Sequence, residues 1–201
     1  MLIVGLTGNY GMGKSFVLSV FRELGAETLE SDRIVDYLLR EKEVVDDICS
    51  LLGEDVRNDH GGLDKKKVAA RIFGDAGLKA RVEALIHPMV LRRIYDFIRG
   101  VSGKARIVVI EIPLLFECDY RDMYQKIITV FTPEETALRR LMDAGISRAD
   151  ATARIAAQLP IETKRRLADF TVDNGGTREE TVNQVKATYR KLFEEEKRLG
   201  Q

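Results

Sequence analysis

Short apolar runs alternate along the chain with stretches that place an apolar residue every three or four positions. The runs are Leu2–Thr7, Ala26–Leu29, Arg106–Ile112, Lys126–Phe131 and Phe170–Val172. Runs of this length, bounded by helical patterns, read as buried parallel strands. After the first comes Val17-Leu18-x-Val20-Phe21-x-x-Leu24, apolar at helical spacing and stopped by Gly25. Such alternation predicts an α/β fold: a five-stranded parallel sheet with helices on both faces. The spacing is uneven. Roughly 75 residues separate the second run from the third, about twice what one strand–helix–strand crossover needs. That interval is helical in pattern, with Ile34-Val35-x-x-Leu38-Leu39, Val44-Val45-x-x-Ile48-x-x-Leu51-Leu52 and Val68-Ala69-x-x-Ile72-Phe73 each keeping a 3.6-residue period. A last helix, from Asp75 to about Arg99, is expected to break or kink at His87-Pro88. Residues 33–100 therefore read as a small helical, substrate-binding insert.

A second excess of chain lies between the fourth and fifth runs. Thr132-Pro133-Glu134-Glu135 offers a capping hydroxyl, proline at the first helical position and glutamate three residues after the cap. The helix it opens is expected to reach about Met142. Ser147-Arg148-Ala149-Asp150 opens another that ends at Leu159-Pro160. Two arginine-bearing helices joined by Ala144-Gly145 suggest a lid over residues 132–167. Thr177-x-x-Glu180 caps a final helix running to about Leu199, whose stripe of Val182, Val185, Tyr189, Leu192 and Phe193 is expected to pack on the sheet. The whole, 1–201, reads as a single domain carrying the insert and the lid.

Composition narrows the function. At 201 residues and 45% apolar content the chain can bury a sizeable core. Lys+Arg and Asp+Glu are 32 each, a balance that argues against a protein built to coat nucleic acid. Cys49 and Cys118 form no metal-ligand or redox pair, and read as reduced thiols. Neither a secretory leader nor a membrane span is expected, since the first apolar segment is too short for a signal sequence and no apolar run approaches ~20 residues. A cytoplasmic protein that is a monomer or weak homo-oligomer, with neither nucleic acid nor membrane as partner, is expected.

The chemistry is concentrated in Gly8-Asn9-Tyr10-Gly11-Met12-Gly13-Lys14-Ser15, which fits G-x-x-x-x-G-K-[ST] between a strand and a helix. Glycines let backbone N–H groups approach phosphate oxygens, and the helix directs its positive end to the same place. Lys14 is placed to reach the outer phosphates, and the Ser15 hydroxyl to hold Mg2+. Asp32, just past the second strand, belongs at the carboxyl edge where ligands bind. It can take a proton from an attacking hydroxyl or orient metal-bound water; the alternative, that Ser31 or Asp32 only caps a helix, stays open. Arg139, Arg140, Arg148, Arg154, Lys164, Arg165 and Arg166 crowd the lid, and no single one is picked out by position. Glu111, closing the third strand, reads as structural or indirect, and a histidine in an apolar helix, His87, is more often core than ligand. Asp59-His60-Gly61-Gly62 follows no strand and is discarded as a nucleotide motif.

The chain resembles the dephospho-coenzyme A kinase family over nearly its whole length. The resemblance rests on Gly5-Leu6-Thr7-Gly8 with the phosphate loop, Glu30-Ser31-Asp32, Ile86-His87-Pro88 and Ile112-Pro113-Leu114-Leu115-Phe116-Glu117. It continues through Gly145-Ile146-Ser147, Ala156-Ala157-Gln158-Leu159-Pro160 and Ala168-Asp169-Phe170-x-Val172-Asp173-Asn174. It implies a phosphate-loop kinase that moves the γ-phosphoryl group of ATP, with Mg2+, to the ribose 3′-hydroxyl of dephospho-coenzyme A. Asp32 then matches the base or hydroxyl orienter, and Lys14 with Arg139 or Arg140 the stabilisers of the transferred group. ATP contacts fall at Gly8, Gly11, Met12, Gly13, Lys14, Ser15, Phe16 and Asn174, and acceptor contacts at Asp32, His87 and Leu115. The chain departs from the family's pattern with Glu30 at the acidic turn, Phe16 after Ser15, and Asp143 where a second basic residue is common. A kinase of another small acceptor, such as a nucleoside monophosphate or shikimate, and an ATP-driven switch are the competing expectations.

Overall fold

The computed structural model describes residues 1–199; Gly200 and Gln201, the end of the expected 1–201 domain, lie outside the described residues. The chain divides into two compact units, residues 31–100 and the remainder. In order, the elements are β1 (Leu2–Thr7), α1 (Lys14–Glu23), β2 (Glu27–Glu30), α2 (Ser31–Leu38), α3 (Lys42–Leu52), α4 (Lys65–Gly74) and α5 (Ala76–Val101). They continue as β3 (Ile107–Glu111), β4 (Lys126–Phe131), α6 (Glu134–Asp143), α7 (Arg148–Ala156), α8 (Ile161–Leu167), β5 (Phe170–Asp173) and α9 (Arg178–Leu199).

The strands form one parallel sheet in the order β2-β3-β1-β4-β5, as the alternating pattern predicts. Strand β1 is central because its residues are buried on both faces. One face presents Leu2, Val4, Leu6, Ile107, Val109, Ile128, Val130 and Val172 to Val17, Leu18 and Phe21 of α1 and Val185 and Leu192 of α9. Burying each such side chain contributes roughly 1.5–3 kcal/mol before ordering costs. The opposite face is covered differently. Gly5 abuts Leu115 and Tyr124, and the Thr129 hydroxyl donates to the Lys164 carbonyl of α8 at 3.1 Å. Register places Leu6 beside both Glu111 and Ile128, so the loop after Thr7 emerges next to the carboxyl end of β3.

Residues 31–100 enclose their own core of Val44, Val45, Ile48, Cys49, Leu52, Val56 and Ile86. Arg57 ties it from the side, reaching Asp46 and Glu54 at 2.9 Å each, while Asp64 caps α4 by accepting the Lys66 and Lys67 amides. The expected break at His87-Pro88 is absent: α5 runs through Pro88 as one helix. Proline forfeits one ladder bond, to the carbonyl of exposed Ala84. Leu78, Val82, Leu85, Ile86, Met89 and Val90 all pack on the core around it, and their combined burial outweighs that ~3 kcal/mol cost.

Capping was legible at two helices and misread at a third. Thr177 and Glu180 form the reciprocal box, the Thr177 amide donating to Glu180 Oε2 at 2.7 Å and the Glu180 amide to Thr177 Oγ1 at 3.2 Å. Ser147 accepts the Asp150 amide at 3.1 Å. Thr132 does not cap α6. Pro133 occupies that position, and the Thr132 hydroxyl is buried with no hydrogen-bond partner. A buried hydroxyl left unsatisfied costs stability that an isosteric methyl does not. Thr132→Val is therefore expected to raise stability by about 1 kcal/mol in urea unfolding.

Residues 132–167 hold three helices where the apolar pattern indicated two. Pro160 accepts the Thr163 and Lys164 amides and starts α8, which has too few apolar residues to show a stripe. Among the described residues no helix is long and apolar enough to cross a membrane.

Candidate active site

The glycine loop between β1 and α1 is held in a conformation other residues resist. Gly8 and Gly13 have φ of 147° and 81°, and a Cβ would lie 2.3 Å from the Val130 carbonyl oxygen at the first and 2.1 Å from Asn174 Nδ2 at the second. Gly13 is the residue from which α1 starts, so the loop closes directly onto the amides of the first helical turn. Those amides lack intrahelical partners and carry the positive end of the helix dipole, which favours a phosphate.

Three side chains and one backbone carbonyl brace the loop from outside. Asn174, buried after β5, donates from Nδ2 to the Met12 carbonyl at 2.9 Å, and its Oδ1 accepts the Thr181 hydroxyl at 3.1 Å. Arg140 Nη2 donates to the Asn174 carbonyl at 2.8 Å. The Tyr10 amide donates to Gln158 Oε1 at 2.8 Å, and Asn9 Nδ2 to the Leu159 carbonyl at 3.0 Å. Met12 is itself buried, with its sulfur accepting the Thr132 amide at 3.1 Å.

Lys14 is buried to 8% exposure, far below what a lysine tolerates without compensation. Its Nζ donates to the Asn9 carbonyl at 3.3 Å and lies 3.9 Å from Glu111 Oε1. The ammonium is thus folded over the loop it serves, at the carboxyl ends of two neighbouring strands. Ser15 is exposed in the first turn of α1, whereas Phe16 packs against the sheet core with the Arg178 guanidinium 5.1 Å from its ring centre. Among the described residues no group of three or more His, Cys, Asp or Glu is placed to hold a metal ion.

The arginines now separate. Arg140 reaches the Asn174 end of the loop, and Arg154 lies over Tyr10, with its ring centre 5.2 Å away and its hydroxyl 3.2 Å away. Arg139 lines an open cleft of about 250 Å³ with Glu135, Met142, Asp143 and Arg148. There Arg148 grips Glu135 through two bonds of 2.9 Å, which hold that carboxyl below its ordinary pKa. Arg165 stacks on Phe131 at 3.7 Å.

Asp32 is the second residue of α2, which begins directly where β2 ends, and His87 is carried by α5 one residue before Pro88. Leu115 is wholly buried, seated against Gly5, so that it anchors the Pro113–Glu117 loop. Two features were not assigned from sequence. Glu111 lies within ion-pair distance of Lys14, which the strand order alone reveals. Lys164 forms a buried ion pair with Glu117 at 2.8 Å, across 47 positions of sequence.

A glycine loop of this geometry, at the carboxyl edge of a parallel five-stranded sheet and closing onto a helix, defines the phosphate-loop class of nucleotide-binding α/β proteins. The sequence profile of dephospho-CoA kinase matches residues 2–180. The chain belongs to the dephospho-CoA kinase family. It is 34% identical over 190 residues to a dephospho-CoA kinase of Aquifex aeolicus, covering 94% of this chain and 96% of the relative. A dephospho-CoA kinase of Carboxydothermus hydrogenoformans is 36% identical over 186 residues, with 91% and 90% covered. A crystal structure of a protein from Thermus thermophilus superposes with a TM-score of 0.84 at 33% identity, covering 95% of this chain and 97% of that one.

Proposed function

We propose that this kinase transfers the γ-phosphoryl group of ATP to the ribose 3′-hydroxyl of dephospho-coenzyme A, giving coenzyme A and ADP, the last step of coenzyme A biosynthesis. The observation that carries the assignment is the family match across residues 2–180, joined to a phosphate loop whose glycines are in the required conformations. In the transfer, the acceptor oxygen forms its bond to the γ-phosphorus as the bond to the β–γ bridging oxygen breaks, and the hydroxyl proton leaves. Asp32 is our candidate to orient that hydroxyl and receive its proton. The backbone of Gly8 to Ser15, with Lys14, is assigned to hold the phosphates, and the Ser15 hydroxyl would be the protein's ligand to a Mg2+ ion, which would supply charge stabilisation for the transfer.

Arg140 is favoured over Arg139 as the stabiliser of the transferred group, since its guanidinium is already at the loop. Asn174 contributes by holding the Met12 carbonyl, and Phe16 by seating α1 on the core. His87 and the loop anchored by Leu115 are assigned to the acceptor. Residues 33–100 are assigned as the substrate-binding insert and 132–167 as the lid. A cytoplasmic, monomeric or weakly self-associating enzyme fits this role.

Purified protein given ATP, Mg2+ and dephospho-coenzyme A is expected to yield coenzyme A, identified by mass and by enzymatic release of its 3′-phosphate. A folded sample that binds ATP but makes none, while phosphorylating a nucleoside monophosphate or shikimate in a parallel panel, overturns the assignment.

A further inference from the structure

Lys164 is a charged residue with no exposed surface, and phosphoryl transfer as described above does not use it. Burying an ammonium costs several kcal/mol, so a retained one needs strong compensation. Its Nζ donates to the Pro113 carbonyl at 2.9 Å and pairs with Glu117 Oε1 at 2.8 Å. Burial pushes the ammonium's pKa down, and the bond and charge of Glu117 oppose that shift.

The neighbours of this pair lead to the loop by two routes. The Pro113 carbonyl also accepts the Thr7 hydroxyl at 3.2 Å, where β1 ends. Glu117 Oε1 also accepts the Leu159 amide at 3.0 Å. The Leu159 carbonyl accepts Asn9 Nδ2, and the adjacent Gln158 side chain accepts the Tyr10 amide. One cation therefore sets two acceptors, and both lie one or two hydrogen bonds from the phosphate loop. The segment it fixes, residues 157–160, is the connector between α7 and α8. Apolar side chains of similar volume would fill the same space as securely as an ion pair, and often more so. They would not hold the Leu159 amide.

We propose that Lys164 is a positioning residue for phosphoryl transfer: through Glu117 and Pro113 it holds the Gln158–Leu159 connector in the place from which Asn9 and Tyr10 are aligned. The inference rests on the kinase assignment for its kinetic readout, but its structural readout does not.

Three variants test it: Lys164→Met/Glu117→Leu, which removes the pair without stranding a charge, Lys164→Arg, and Gln158→Ala at the far end of the network. Each is compared with wild type for thermal stability, KM for ATP, kcat, and amide exchange at Tyr10 and Leu159. The double variant is expected to keep its melting temperature and to hold KM for ATP within about threefold, yet to lose kcat by roughly 10²-fold. Its Tyr10 and Leu159 amides should exchange about tenfold faster while those of β1 are unchanged. Gln158→Ala should show the same pattern to a smaller degree, and Lys164→Arg should recover most of kcat. A stable double variant with kcat within about threefold of wild type and unaltered exchange at Tyr10 would make Lys164 merely structural. Gln158→Ala with full kcat overturns the proposal equally, even if the double variant fails to fold. Wild-type protein that turns over no dephospho-coenzyme A, but whose Tyr10 amide still responds to these substitutions, would refute the kinase assignment and leave the alignment of the loop standing.

Discussion

Asp32→Asn is expected to lower kcat by roughly 10²–10⁴-fold while changing ATP affinity by less than about threefold. Asparagine keeps the size and one side-chain oxygen but cannot receive the acceptor's proton. Hydrogen bonds from Asn174 and Gln158, and the Leu159 carbonyl, hold the phosphate loop in place. Titration with ATP, alongside steady-state rates at saturating ATP and acceptor, separates the two quantities. Loss of ATP binding in proportion to kcat would assign Asp32 to the structure of the helix start instead.

The second large effect is expected at Lys14, where removal should damage binding and chemistry together. Lys14→Ala is expected to cut kcat/KM for ATP by roughly 10²–10³-fold, the scale of losing one preorganised charge at a transferring group. Two causes act in the same direction. The cation that reaches the phosphates is gone, and the buried carboxylate of Glu111, 3.9 Å from it in the native protein, is left beside incoming negative charge. The second cause is separable. Lys14→Ala/Glu111→Gln is expected to bind ATP more tightly than Lys14→Ala alone, with kcat still low, in a double-mutant cycle read by calorimetry. Equal affinities for the single and double variants would show that Glu111 exerts no field on the nucleotide.

What could be read from the amino acids follows from how local the responsible physics is. The loop from Gly8 to Ser15 needs glycine conformations and a following helix, and both are written in adjacent residues. The Thr177–Glu180 and Ser147–Asp150 caps are equally local, and both formed as the spacing predicts. Thr132 carries the same local signal but is overruled, because β4 ends beside buried Met12 and draws the Thr132 amide to its sulfur. Pro88 is overruled in the opposite sense, since a helix packed on both sides of it survives the loss of one hydrogen bond. Lys164 stood out only as one of the lid cations and Glu117 only as the end of a family segment, and nothing in the sequence paired them. Lys164 sits among polar neighbours and Glu117 ends an apolar loop segment, and they meet only when the β3–β4 connection and α8 cover the same face of the sheet. Glu111 was visible as an acid closing an apolar strand, but its meaning depends on β3 lying next to β1. Strand order is a property of the whole chain, and pairing across it cannot be counted off in residues.

The pairing of β2 with β3 joins strands separated by the whole of residues 31–100. Closing a chain excursion of roughly 75 residues costs only about 1.5 kcal/mol more than closing a crossover of about a dozen, because the entropy grows with the logarithm of length. The excursion also encloses a core of its own, so its contents can be redrawn without touching the register of Glu27 against Val108 or of Glu30 against Glu111. A relative with a differently sized segment at this point can keep the same sheet, and chimaeras joined at Glu30 and Val101 are natural units of exchange.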